Sequence, residues 1–216
     1  MKYDLAIFDM DGTILNTLTD LKNSLNYSLS ACGYNTRSLS EVRRFVGNGI
    51  RKLVERGVPQ NTDSYNTSKV FEIFNKHYAV HCTDTTKPYD GVIDVLAKLK
   101  EKGMKTAVVS NKSDYAVQSL CEQFFSGLFD CKIGVKDGIN KKPCPDSVNL
   151  VLKQLNTEKE RAVYIGDSEV DIATAENAKV DCISVDWGFR SREELLDNNA
   201  KNIISSTDDL LKIILE

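Results

Sequence analysis

Leu5-Ala6-Ile7-Phe8-Asp9-Met10-Asp11-Gly12-Thr13 is the stretch from which the fold is read. Four apolar residues in succession, with no polar alternation, mark a strand buried on both faces, as in a parallel sheet. The run stops abruptly at acid-x-acid-Gly-Thr. The carboxyl ends of parallel strands are where open sheets bind ligands, so Asp9 and Asp11 stand where chemistry is done. Two carboxylates this close repel unless a cation holds them or one keeps its proton. Gly12 lets the backbone turn sharply and approach a ligand, and the N–H groups of such a turn can face an anion. The stretch therefore predicts a site for a phosphate and a divalent metal. An ordinary polar turn after a strand is the alternative, since Asp and Gly are common turn residues.

Downstream, residues 16–85 carry helical periodicity and no strand signal. Leu21, Leu25 and Leu29 share one face of a helix that begins near Thr19 and stops at Cys32-Gly33. Val42 and Phe45 belong to a second helix capped by Ser38 or Ser40. It breaks at Val46-Gly47-Asn48-Gly49 and resumes through Ile50, Leu53 and Val54. The polar stretch 59–68 reads as a loop, and 68–80 as a third helix with Val70, Phe71, Phe74 and Tyr78 on its apolar side. Alternation of strand and helix starts only afterwards. Strands are expected over 105–111, 130–135, 162–167 and 182–186, and helices over 90–102, 114–125, 145–155, 170–178 and 207–215. This is the pattern of a doubly wound α/β fold with helices on both faces of a parallel sheet. The expected organisation is a Rossmann-like core of residues 1–15 and 86–216, with residues 16–85 inserted as an all-helical cap domain over the strand ends.

Three further segments carry chemistry that matches the first. Ser110-Asn111 closes a strand with a hydroxyl and an amide that can donate to phosphate oxygens, though either residue also serves as a helix cap. Lys142, followed by Pro143, places a cation before a helix. Gly166-Asp167-Ser168-Glu169-Val170-Asp171 ends another strand in Asp167 and places Asp171 four residues on, acids that the start of a helix also favours through its dipole. Each segment alone is ordinary. Acid, hydroxyl, cation and acid in that order on successive strand ends are what a phosphate, a metal and a nucleophile require.

With these residues in view, the chain resembles the haloacid dehalogenase-like phosphatase superfamily, and within it the subgroup whose helical cap follows the first motif. Four motifs carry the resemblance: Asp9-Met10-Asp11-Gly12-Thr13, Val109-Ser110-Asn111, Lys142-Pro143 and Gly166-Asp167-Ser168-Glu169-Val170-Asp171. The resemblance implies that Asp9 attacks phosphorus, and that Asp11 protonates the leaving alcohol and later activates water. It implies Mg²⁺ on the Asp9 carboxylate, the Asp11 main-chain carbonyl and Asp167, with Asp171 in support. Ser110, Asn111, Lys142 and the Asp11–Gly12 backbone would then hold the phosphoryl oxygens. Relatives that cleave carbon–halogen bonds lack the second acid, so Asp11 favours phosphatase or phosphomutase chemistry. The segment from Phe45 to Arg56 resembles phosphoglycolate phosphatases, which makes 2-phosphoglycolate the expected substrate and places Asn48 and Arg51 as its contacts in the cap. Pyrophosphate, nucleotides and sugar phosphates are the alternatives within the superfamily. A receiver-like module that accepts phosphate without turnover is the alternative outside it, disfavoured by the inserted segment and by the position of Asp9 on the first strand.

Composition narrows the partners. The 216 residues include 41% apolar and 27% charged residues, the balance of a globular protein with a sizeable core. A net charge of −3 argues against a broad nucleic-acid surface, and no apolar run has membrane-spanning length. The six cysteines are scattered without a C-x-x-C pair, which favours reduced thiols and a cytoplasmic setting. No secretory signal is expected. The expected partner is a small phosphorylated metabolite, for a monomer or homodimer. His77 and His81 have helical metal-pair spacing but lack the neighbouring Glu of a metalloprotease, so packing or surface roles are expected. Arg190 and Arg192 are expected to be solvated, and Trp187 to lie in the core.

Overall fold

A parallel sheet grows outward in both directions from β1 (Leu5–Phe8). The computed structural model describes all 216 residues. After β1 come β2 (Leu15–Asn16) and four helices, α1 (Leu18–Ala31), α2 (Leu39–Phe45), α3 (Ile50–Gly57) and α4 (Ser64–His81), then β3 (Lys87–Pro88). The rest alternates: α5 (Val92–Glu101), β4 (Lys105–Ser113), α6 (Asp114–Phe125), β5 (Cys131–Val135), α7 (Asp146–Gln154), β6 (Ala162–Gly166), α8 (Glu169–Ala178), β7 (Asp181–Val185), α9 (Arg192–Asp197), β8 (Ile203–Ile204) and α10 (Thr207–Leu215). The chain divides into two compact units, residues 1–15 with 88–216, and residues 16–87.

The first unit is the doubly wound α/β fold anticipated from the strand–helix alternation. Its strand order is β5-β4-β1-β6-β7-β8. Every neighbouring pair is parallel, with Leu5 beside Lys105 on one flank and Ala162 on the other. Successive residues of β1 feed opposite core layers, as a period of two demands. Ala6 and Phe8 pack in one layer with Leu96, Leu99, Leu120 and Phe125, while Leu5 and Ile7 pack in the other with Val148, Val151, Ala175 and Ala178. All four β1 side chains are at most 1% exposed, which is why the run carries no polar alternation. Because the chain adds β4 and β5 on one side of β1 and then β6 to β8 on the other, the carboxyl end of β1 is a topological switch point.

The second unit is wholly helical between the short strands that bound it. Leu21, Leu25 and Leu29 of α1 are buried, as are Val70, Phe74 and Tyr78 of α4. Gly57 closes α3 so near α1 that an added Cβ would lie 2.9 Å from the Leu25 side chain. Asp20 accepts from the main-chain N–H and hydroxyl of both Thr85 and Thr86, at 2.6–3.1 Å. Burial opposes ionisation of Asp20, but these donors together outweigh it and hold its pKa below the usual carboxylate value.

Several boundaries differ from the sequence reading. Helix α4 begins at Ser64 rather than 68, because Asp63 caps it by accepting from Asn66 N–H at 2.8 Å. Strand β4 runs to Ser113, two residues beyond its expected end. Helix α9 and strand β8 were not anticipated. The former is six residues long and starts with a capping box between Ser191 and Glu194. Arg190 is not solvated: it is 8% exposed and forks onto Glu169 at 2.8 and 3.1 Å. Arg192 is on the surface, paired with Asp186. Trp187 is half-buried against the core, and its Nε1 donates to Thr13 O at 3.1 Å.

Candidate active site

Backbone geometry at the end of β1 sets up the site. Asp9 N donates to Ile165 O at 2.8 Å, continuing the ladder with β6 one residue past the strand. The chain then curls, with the N–H groups of Thr13, Ile14 and Leu15 all directed at Met10 O. Gly12 takes φ +94°, and a Cβ there would fall 2.3 Å from Asp167 Oδ2, so only glycine lets this turn lie against β6. Gly188 is packed as tightly on the far side of Asp167, where a Cβ would meet Asp167 Cβ at 2.3 Å and Gly12 O at 2.4 Å.

Asp9, Asp167 and Asp171 come together, with carboxylate oxygens within 4.8 Å of one another and all three residues buried. Lys142 lies among them. Its Nζ is 2.8 Å from Asp9 Oδ1 and 2.7 Å from Asp171 Oδ1, and it donates to Tyr164 OH at 3.0 Å. Tyr164 in turn donates to Asp171 Oδ1 at 3.2 Å. The other Asp171 oxygen accepts from Asp167 N, Ser168 N and Ser168 Oγ. Both Asp171 oxygens are therefore occupied, and its part is to hold Lys142 and the start of α8. Asp167 accepts from Thr13 Oγ1 at 3.1 Å and from Phe189 N at 2.7 Å.

The electrostatics are those of a site built around a further cation. Burial, the largest influence, pushes the Asp9 carboxyl up to about 7; Lys142 pulls the other way, while Asp171 and Asp11 add repulsion. Asp167 is raised well above the usual carboxylate range, first by burial and then by the charges of Asp171 and Asp9. Three carboxylates face one ammonium, so two negative charges remain uncompensated when all are ionised. One divalent cation cancels them, and an all-oxygen donor set suits a hard one. The residues thus fit a divalent metal.

Ser110 and Asn111 lie at the end of β4, where its register with β5 shifts between Val109 and Ser113. Ser110 is buried, and its Oγ accepts from Lys112 N at 3.3 Å. The Asn111 side chain also binds within the protein. Its Nδ2 donates to Lys142 O at 3.1 Å and its Oδ1 accepts from Lys142 N at 2.9 Å. These two bonds tie Asn111 to the loop that carries Lys142. Asp11 is outside the three-carboxylate group. Its Oδ1 is buried and accepts no hydrogen bond, but the Lys112 ammonium stands 3.3 Å away as an ion pair without hydrogen-bond alignment.

Asn48 and Arg51 belong to the helical unit. Asn48 sits in the break between α2 and α3, flanked by Gly47 and Gly49 at φ +114° and +83°. Arg51 is bound within that unit to Glu55 and Ser68, both at 3.2 Å, and lies over the Phe71 ring. His77 and His81 stack on each other and bond to Ser24 and Asp84.

The sequence reading missed Lys112 and Tyr164. Lys112 is 4% exposed, and the visible signal for it was a lysine two residues after Ser110 on the same strand. Tyr164 stands in an apolar strand and reads as core until Lys142 is placed over it.

The model of the haloacid dehalogenase-like hydrolase family matches residues 6–185. A phosphoglycolate phosphatase from Mesorhizobium japonicum is 31% identical, over 89% of this chain and 86% of its own length. One from Aquifex aeolicus is 32% identical, over 86% and 85%. A crystal structure from Lactobacillus delbrueckii subsp. bulgaricus, provisionally assigned as a phosphoglycolate phosphatase, is 38% identical. It superposes with a TM-score of 0.95 over 99% of each chain.

Proposed function

The chain belongs to the haloacid dehalogenase-like hydrolases, and from that premise we propose that it is a phosphatase acting on a small phosphate monoester, 2-phosphoglycolate. The observation that carries the reading is the group of Asp9, Asp167 and Asp171 around Lys142 at the switch point of the sheet. The substrate is supported by the names of the relatives and by their coverage of most of the chain.

Asp9 is assigned as the nucleophile. Its carboxylate attacks phosphorus, the bond from phosphorus to the ester oxygen breaks, and an aspartyl-phosphate forms. Asp11 gives its proton to the departing alkoxide. It then takes a proton from the water that attacks phosphorus and frees Asp9. A carboxylate approaching a phosphate dianion is opposed by charge, and Lys142 lessens that repulsion for both attack and the spread of charge that follows. Ser110 and the Asp11–Gly12 backbone are assigned to the phosphoryl oxygens, and Asn111 to the placement of Lys142. Asp9, Asp167 and the Asp11 main-chain carbonyl would hold Mg²⁺, which supplies positive charge against the phosphoryl group. The helical unit is assigned the water-excluding role of a cap, and Asn48 remains its candidate substrate contact.

The test is phosphate release from 2-phosphoglycolate, pyrophosphate, nucleoside monophosphates and sugar phosphates, with Mg²⁺ or chelator, for wild type and Asp9→Asn. The expected result is Mg²⁺-dependent release, strongest with 2-phosphoglycolate and reduced at least ~10⁴-fold in Asp9→Asn, the scale for removing a covalent nucleophile. Equal activity in Asp9→Asn refutes the mechanism. Preference for another ester refutes the substrate.

A further inference from the structure

We propose that Trp187 and Arg190 are positioning residues for the metal: they anchor the two ends of a buried strap, 187–190, whose main chain fixes the orientation of the Asp167 carboxylate. The inference rests on the reading of Asp9 and Asp167 as metal ligands and goes beyond it, to the residues that hold one of them in place.

The strap joins β7 to α9. Connecting segments normally run over the surface, yet Gly188, Phe189 and Arg190 are all buried. Burying a guanidinium costs free energy unless a carboxylate meets it, and Glu169 meets this one at two points, 2.8 and 3.1 Å. No step of the proposed reaction uses Arg190 or Trp187, the single tryptophan of the chain. What lies between them gives both a purpose. Phe189 N donates to Asp167 Oδ2 at 2.7 Å, and Thr13 Oγ1 donates to Asp167 Oδ1 at 3.1 Å. Each oxygen of Asp167 thus meets a donor, and the two donors together fix the rotation of the carboxylate.

These contacts form a closed circuit. The Thr13 hydroxyl meets Asp167, and the Thr13 carbonyl accepts from Trp187 Nε1 at 3.1 Å. Phe189, two residues after Trp187, returns to Asp167. The indole therefore ties one end of the strap to the turn that follows Asp9. At the other end, the fork from Arg190 ties it to Glu169, the first residue of α8. Gly188 leaves no room for inward motion, since a Cβ there would lie 2.3 Å from Asp167 Cβ. Contact on one side and tethers at both ends hold the Phe189 N–H where Asp167 needs it. Groups that orient a metal-binding side chain matter nearly as much as the ligand, and their loss costs about 10–100-fold in metal affinity. Positioning also predicts a sign opposite to that of charge. Burial opposes the charge of Arg190, but the carboxylates of Glu169, Asp167 and Glu194 outweigh burial and raise its pKa. The guanidinium is thus within electrostatic reach of Asp167. If its charge were all that mattered, removing it would relieve repulsion and tighten the binding of a divalent cation.

The experiment takes apparent dissociation constants for Mg²⁺ from the dependence of Tm on Mg²⁺ concentration. Wild type is compared with Trp187→Phe, Arg190→Gln and Arg190→Lys. Trp187→Phe keeps an aromatic ring and removes the N–H donor, while Arg190→Lys keeps the charge and removes the fork. All three should bind Mg²⁺ about 10-fold more weakly than wild type, the lower end of the scale for such partners. A general loss of stability lowers Tm at every Mg²⁺ concentration and leaves this constant unchanged. If Arg190→Gln does not fold, the other two variants carry the test. Constants equal to wild type in Trp187→Phe and Arg190→Lys overturn the proposal, and tighter binding in Arg190→Gln overturns it in favour of charge alone. Either result leaves the phosphatase reading standing. A wild type whose Tm does not respond to Mg²⁺ overturns the reading of the metal ligands, and this inference with it.

Discussion

Removing divalent metal should make the stability of this protein fall as pH rises, and restoring it should offset much of the fall. The perturbation is chelation, followed by addition of Mg²⁺. Asp9, buried beside Asp167 and Asp171, has a carboxyl raised from an ordinary 3.8 to about 7. The unfolded chain loses that proton near pH 4, whereas the folded one keeps it until about pH 7, so the folded state binds more protons in this window. Stability contributed by the group is therefore complete below the unfolded value and declines as pH rises through the folded one. For Asp9 alone the full decline is about 4 kcal/mol, of which about 3 kcal/mol falls between pH 5 and pH 8, and Asp167, raised in the same sense, adds to it. Saturating metal at about 100 times its dissociation constant returns about 2.7 kcal/mol, which for a chain of this length is a rise in Tm of about 5–10 °C. The assay is thermal unfolding from pH 5 to pH 8 in chelator and in Mg²⁺, for wild type and Asp9→Asn. Asp9→Asn should be the more stable protein in chelator at pH 8 and should gain less from Mg²⁺. This difference separates the cluster from other titrating groups such as His77, whose pKa burial depresses and whose pH effect has the opposite sign. A chelated wild type whose Tm is level from pH 5 to pH 8, or an Asp9→Asn protein that gains as much from Mg²⁺, would refute the reasoning.

Two further substitutions probe the scaffold. Asp20→Ala strands the Thr85 and Thr86 donors that meet that carboxylate in the helical unit. It should cost roughly 3 kcal/mol, read by urea unfolding, and amide exchange of Thr85 and Thr86 should accelerate; protection equal to wild type would sink the assignment. Gly188→Ala sets a methyl 2.3 Å from Asp167 Cβ and 2.4 Å from Gly12 O. It should lower kcat by about 100-fold, the scale for a displacement of about 1 Å in a site, with far-UV dichroism unchanged; full activity would show that Asp167 tolerates the shift.

Much of this architecture was legible because burial on both faces leaves a direct trace in composition. The β1 run and 162–166 are apolar throughout, and each ends in acid where the sheet ends. The start of α4 was not legible from apolar spacing. Its first turn, Ser64-Tyr65-Asn66, packs little, and the start is fixed by Asp63. Elements as short as α9 and β8 carry too few residues for a period, although Ser191 and Glu194 spell a capping box. Arg190 was misread because a cation in a polar loop looks solvated until Glu169, 21 positions earlier, is brought beside it.

Within the site, residues that end strands were easier to find than residues that hold them. Asp9, Ser110 and Asp167 declare themselves by interrupting an apolar run. Tyr164 does not, because a phenol within a strand differs little from other core aromatics. Its hydroxyl matters only once Lys142, 22 residues away, accompanies Asp171. Asn111 shows the converse. Its place after Ser110 suggests a phosphate donor, and the fold adds a second job, since both ends of its amide grip the Lys142 backbone. Lys112 follows the same logic as Tyr164. A lysine in a polar stretch is usually solvated, and what distinguishes this one is a side chain that is 2% exposed and ends 3.3 Å from Asp11 Oδ1. Position along the chain thus predicts where chemistry can occur, whereas the partners of each side chain decide which residues touch substrate and which position the ones that do.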